Sequence, residues 1–139
     1  MIDIDNKTSF EVNNALLQQI AASLTDKDIE LVITTNDEIQ QINKEYRNID
    51  KPTDVLSFPY EEMPMTPLGS IVVSEELVIT KAKEFGHASQ DEFTLLFIHG
   101  LLHLLGYDHE IDSGEMRAEE EKIIHKFNLP ESLIVRTEK

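Results

Sequence analysis

Three imidazoles fall within eleven residues in the run His99-Gly-Leu-Leu-His103-Leu-Leu-Gly106-Tyr107-Asp108-His109. If this segment begins as a helix, residues i and i+4 are offset by only about 40° and about 6 Å of rise. The side chains of His99 and His103 then project from one face and can converge on one ion. A continued helix would carry residue +10 about three turns from the first, too far to share it. Gly106 supplies a place for the chain to leave the helix in a left-handed conformation at little steric cost and to return His109. Three neutral imidazoles leave a fourth tetrahedral position for water, the arrangement of a catalytic zinc site. The expectation is therefore one Zn2+ ion held by His99, His103 and His109. The alternative is three unrelated core or surface histidines. It would leave imidazoles desolvated in an apolar helix with almost no polar neighbours in sequence. Given His99, histidine at both +4 and +10 arises by chance on the order of one time in a thousand. His87 and His125 lie outside the unit and read as surface or helix-end histidines.

The spacing H-x-x-x-H-x-x-G-x-x-H resembles the zinc-binding core of the metzincin peptidases. There a glutamate after the first histidine acts as general base. Here that residue is Gly100. A peptidase therefore becomes the second choice, because the carboxylate that would take the proton is missing from its expected place. Glycine inside a helix costs up to about 1 kcal/mol relative to alanine. Gly100 either clears room for a bulky substrate group or a closely packed strand, or serves helix packing alone.

The elements that must position these residues follow from periodicity and capping signals. Ile2–Ile4 reads as a first strand. Phe10 to Leu24 reads as an amphipathic helix, with Leu16, Leu17, Ile20 and Leu24 at helical spacing. Ile29–Thr34 reads as a second strand buried on both faces. Thr35 and Glu38 form a capping box that starts a helix to about Tyr46. Asn48–Thr53 is turn chemistry around Pro52. Val55–Phe58 is a third strand, and Pro59 after it suits a sheet edge. Glu61 to Leu68 is a loop and Gly69 to Ser74 a fourth strand. Ser74 caps a helix to Phe85, with Gly86 just past its end. Ser89 and Glu92 form a second capping box for the helix Phe93 to Leu105, which is apolar nearly all round and belongs in the core. A last helix runs from about Ser113 to Phe127. The expected fold class is α+β, a single domain over residues 1–139 with a four-stranded mixed sheet packed against helices and a metzincin-like zinc helix.

Bulk properties narrow the function classes. The chain has 139 residues, 40% hydrophobic and 28% charged, an ordinary balance for one folded domain. Its longest apolar stretch, Leu95 to Leu105, is too short and too polar to span a bilayer, so no membrane association is expected. The opening MIDIDNKTSF shows no cationic stretch followed by an apolar run, and cysteine is absent, so a cytoplasmic location is the expectation. A net charge of −15 argues against a broad electrostatic nucleic-acid binder. A nucleic-acid substrate then requires locally concentrated positive charge, to which a bound cation contributes.

Such a concentration is present around Arg47. Lys44 and Lys51 flank it, and its planar guanidinium matches phosphate oxygens. The same cluster also reads as the solvated cationic end of a helix. The histidine run resembles the signature of the bacterial YbeY-type endoribonucleases. So does Tyr46-Arg47-Asn-Ile-Asp50-Lys51-Pro52-Thr53-Asp54-Val55-Leu56-Ser57-Phe58-Pro59. Leu68-Gly69-Ser70-Ile71 is similar to a third block of that family, and Ser70 stands where the family usually has aspartate.

The resemblance implies a zinc-dependent, single-strand-specific endoribonuclease in 16S rRNA 3′-end maturation and ribosome quality control. It implies single-stranded ribosomal RNA as substrate, and ribosomal proteins and assembly GTPases as partners. It places zinc on His99, His103 and His109 and the functional arginine on Arg47. His99 and Arg47 are then the expected catalytic residues and Arg47 a substrate-binding one; Lys51, which the resemblance does not itself carry, is a further substrate-binding candidate from the basic cluster. A non-enzymatic assembly factor stabilised by zinc is a third reading, supported by the acidic surface.

Neighbouring residues keep two readings each. Asp108 either orients a ligand imidazole or caps the turn after Gly106. Asp54 reads as a turn former after Pro52 or as a catalytic carboxylate. Met116 packs beneath the metal or simply in the core. Phe58 and Tyr60 are stacking platforms for bases or plain packing residues.

Overall fold

The computed structural model describes residues 1–61, 63–108, 110–131 and 133. Four strands form one sheet: β1 (Ile2–Asn6), β2 (Ile29–Thr34), β3 (Val55–Pro59) and β4 (Gly69–Ser74), in the order β1-β2-β4-β3. The β1–β2 and β2–β4 pairs are parallel and β3–β4 is antiparallel, so the sheet is mixed, as expected. Apolar alternation sorts the two faces. Ile29, Leu31, Ile33, Ile71 and Val73 face the main core with Leu17 and Ile20 of α1 (Asn14–Ala22) and most of α4 (Ser89–Leu104). Val32, Leu56, Phe58 and Val72 face the other way, against Ile39 and Ile42 of α2 (Asn36–Arg47). Helices α3 (Glu75–Phe85) and α5 (Glu115–Lys126) complete the fold, and Met116 and Ile123 of α5 enter the main core.

Most boundaries follow from local chemistry. The Thr35 side chain accepts from the Glu38 N–H and starts α2, and the Ser74 side chain does the same for α3 through Leu77. Gly86 is left-handed after α3. Helix α4 stops at Leu104. Gly106, at φ +102°, donates to the His103 carbonyl while Tyr107 donates to that of Leu102, so both bonds of a Schellman end are made.

Three expectations are corrected. Helix α1 is shorter than Phe10 to Leu24 because the Asn13 side chain accepts from Leu16 N–H and fixes the start there. Ser89 caps nothing: Ala88 is the N-cap, without a side-chain bond, and α4 begins at Ser89. Glu92, instead of closing a capping box, is fully buried and lies 2.6 Å from His87 Nε2. His87 is consequently no surface residue, since its side chain is 3% exposed. The pairing of a buried carboxylate with an imidazole is the physical reason both leave solvent.

Two glycines set how closely α4 and the sheet approach. A Cβ on Gly100 would sit 3.0 Å from Ile71 Cγ2 and 3.2 Å from Ser57 Oγ, and Ser57 Oγ donates to the Gly100 carbonyl. Of the readings open for Gly100, close packing against strands is the one observed. At Gly69 a Cβ would meet the Phe58 carbonyl oxygen at 2.5 Å and Leu104 Cδ2 at 2.6 Å. Backbone there cannot yield cheaply, so Gly69→Ala is expected to destabilise the fold by about 1–3 kcal/mol. Urea unfolding of wild type and variant measures this, and an unchanged midpoint would contradict the packing seen.

Candidate active site

Helix α4 is buried along nearly its whole length, yet His99 and His103 are half-exposed on a single strip. Their rings meet edge to face at 4.7 Å between centroids, and the two Nε2 atoms are 3.2 Å apart. Behind His99, Glu120 of α5 places Oε1 3.0 Å from Nδ1. Glu120 is 5% exposed. An ionised carboxylate only accepts, so in this contact a neutral His99 would carry its hydrogen on Nδ1 and turn its Nε2 lone pair toward His103.

This donor set fits a metal ion. Two lone-pair nitrogens at van der Waals range repel unless a proton or a cation lies between them. Two nitrogens each about 2.0–2.1 Å from a tetrahedral zinc are about 3.3 Å apart, close to the observed 3.2 Å. A carboxylate behind a ligating imidazole is the usual supporting arrangement. The third expected ligand, His109, lies outside the described residues.

The two imidazoles open into a cleft of about 730 Å³. Its walls come from the end of α2 (Tyr46, Arg47), from β3 and the residues before it (Thr53 to Val55 and Ser57 to Pro59), and from the segment after α4 (Gly106 to Asp108, and Glu110). Arg47 is exposed, and no ion-pair partner for it is found among the described residues. The loop after it is tied back to α2. Buried Asn43 donates through Nδ2 to the Lys51 carbonyl at 2.9 Å, and Gln40 Nε2 donates to Asp50 Oδ1 at 3.0 Å.

Other expected residues fall less centrally. Lys51 is exposed and is absent from the cleft lining, and Lys44 lies 3.9 Å from Asp50. Asp108 caps its own turn, accepting from Glu110 N–H at 3.0 Å, and Asp54 lines the cleft. Met116 is fully buried in the main core. Phe58 lines the cleft, but Tyr60 does not: its hydroxyl donates to Glu30 Oε2 at 3.3 Å, and burial followed by the charge of Glu30 raises its pKa. Two residues escape the sequence reading. Glu120 is one of many acidic residues in α5, and only the packing of α5 on α4 distinguishes it. Tyr46 lines the cleft as the aromatic partner of Phe58, at 5.6 Å between ring centroids. Its position beside Arg47 was the available signal.

Comparison with known proteins places these features in a family. The family model described as endoribonuclease YbeY matches residues 2–128. The endoribonuclease YbeY of Sulfurimonas denitrificans is 65% identical over 138 residues, covering 99% of each chain. That of Helicobacter pylori is 52% identical over 139 residues, again with 99% of each covered. A solution structure of a Thermotoga maritima protein superposes with a TM-score of 0.63 at 29% identity, covering 91% of this chain and 89% of that one.

The Glu120–His99 contact has a direct spectroscopic consequence. In the metal-free protein, 15N shifts of the His99 ring are expected to report the Nδ1–H form. Glu120→Leu should shift that population toward the Nε2–H form. Identical ring spectra in the two proteins would show that the carboxylate does not set the tautomer.

Proposed function

This chain belongs to the YbeY endoribonuclease family, and on that premise we propose that it is a zinc-dependent endoribonuclease that cuts single-stranded ribosomal RNA. The observation that carries the reading is the pair of imidazole nitrogens, backed by Glu120, opening into the cleft that also presents Arg47. His99 and His103 would hold the ion, with His109 as the third ligand. When bound, zinc supplies a water of lowered pKa and an electrophile for a phosphoryl oxygen. The chain's own residues do the rest. Glu120 holds the Nδ1 proton of His99 and keeps Nε2 aimed at the cleft. Arg47 grips the phosphate through charge-assisted hydrogen bonds and neutralises charge that grows on its oxygens. Asp108 caps its own turn by accepting from the Glu110 N–H.

The proposal extends to 16S rRNA 3′-end maturation and ribosome quality control in the cytoplasm, with ribosomal proteins and assembly GTPases as partners. The family membership supports an RNA-cleaving role, and the strongly acidic chain suits protein partners alongside RNA. Among the described residues no helix is long and apolar enough to cross a membrane.

One experiment separates this reading from a peptidase and from a zinc-stabilised assembly factor. Wild type, His103→Ala and Arg47→Ala are each given a single-stranded RNA, its duplex and an unstructured protein, and bound metal is measured. The expected outcome is metal-dependent cutting of the single strand by wild type alone. His103→Ala should lose metal and cutting together. Arg47→Ala should keep metal and lose cutting by about 10²–10³-fold, the range for removing one stabilising donor. Wild-type proteolysis, or inertness toward all three substrates, would overturn the proposal.

A further inference from the structure

We infer that Tyr46, braced by Phe58, is a stacking platform for one unpaired nucleobase, and that the open edge of β3 beside it receives that base's hydrogen-bonding edge. The inference rests on the ribonuclease reading and adds a physical basis for discriminating single-stranded from paired RNA.

Tyr46 is a large aromatic residue that remains 68% exposed. Large rings usually contribute through burial, and this one is held against Phe58 at a 60° tilt with most of its surface open. It occupies the last turn of α2, next in sequence to Arg47, and both line the cleft. A phosphate gripped by Arg47 therefore leaves its nucleotide within reach of the ring.

The strand edge supplies the second part. Ser74 N–H donates to the Asp54 carbonyl and Tyr60 N–H to that of Leu68, which fixes the alternation of the β3–β4 ladder. Even-numbered residues of β3 bond to β4, so the backbone groups of Val55, Ser57 and Pro59 point away from it. These three residues line the cleft, and β3 is the last strand of the sheet. Proline has no N–H, so the outward row carries donors at Val55 and Ser57 and then stops. A peptide adding a strand needs a longer ladder than that, whereas a nucleobase needs only one or two bonds. A paired base has both its edge and its faces occupied and can use neither the ring nor the strand.

The test uses a short single-stranded 2′-O-methyl oligonucleotide carrying 2-aminopurine, and a cleavable RNA of the same sequence. Wild type should bind the first with quenching of the 2-aminopurine fluorescence. Tyr46→Phe keeps the ring and should behave as wild type. Tyr46→Leu should abolish quenching, weaken binding about tenfold and raise KM about tenfold with kcat within about twofold, the scale of one lost base stack. Tyr46→Met, of similar volume, replaces it if the leucine variant does not fold. Wild-type affinity, KM and quenching in the folded leucine or methionine variant would overturn the subsite while leaving the ribonuclease reading intact. Failure of wild type to bind or cut RNA would overturn both. An extended peptide that displaces the oligonucleotide and binds wild type and Tyr46→Leu equally would assign the edge to peptide and overturn the subsite.

Discussion

The close seating of α4 on the sheet governs the rest of this structure. The helix carries two polar imidazoles through an otherwise apolar core. It can do so only if one narrow strip reaches solvent while every other side is buried. Gly100 sets the depth of that seat: Ile71 and Ser57 occupy the volume a side chain would take, and the Ser57 hydroxyl bonds to the Gly100 carbonyl. The helix thereby accepts a residue of poor intrinsic propensity in exchange for contact with β3 and β4. The same contact brings His99 and His103 to the open margin of β3. Arg47 and the two imidazoles line one cleft because the helix lies this close.

Buried polar groups mark the two ends of α4 with related chemistry. Near its start, Glu92 and His87 exclude solvent together at 2.6 Å. Farther along, Glu120 contacts His99 Nδ1, and the opposite nitrogen of that ring lies 3.2 Å from His103 Nε2. The difference lies in exposure. The His87 side chain is sealed in, whereas His99 is 28% exposed at its side chain and reaches the cleft. One imidazole–carboxylate pair therefore lies wholly within the fold, and the other reaches the cleft wall.

Patterns confined to one element were readable from the residues. The β-branched run at Ile29–Thr34, the cap at Thr35 and the glycine turn at Gly106 each report chemistry within a few residues. The imidazole spacing did so too, because helical geometry alone puts i and i+4 on one face. Long-range partners were not readable. Ser89 and Glu92 carry the pattern of a capping box, yet a buried imidazole five residues upstream outcompetes the local bond. Glu120 is twenty-one positions from His99 and is surrounded by acidic residues of the same type. Tyr60 looked as suitable for the cleft as Phe58. The turn of the chain after Pro59 instead sends it toward Glu30, and α2 supplies Tyr46 in its place.

The position of the cleft follows from the topology of the sheet. Parallel strands must be joined by crossovers, and those crossovers lay helices over the faces of β1, β2 and β4. The antiparallel β3 enters from the end of α2 and passes directly to β4 through a loop, so no crossover covers its outer side. An uncovered edge ordinarily invites association with other strands. Here Pro59 shortens the donor row, and α2 sets Tyr46 and Arg47 beside the same margin. On the proposed reading, the edge would then suit a ligand with few in-plane hydrogen bonds and a charged backbone. The same cleft carries Asp54, Asp108 and Glu110 on its wall beside one arginine, the strand's neutral dipoles and two imidazoles, so in a chain of net charge −15 a cation between those imidazoles would offset carboxylates that otherwise repel a phosphate backbone.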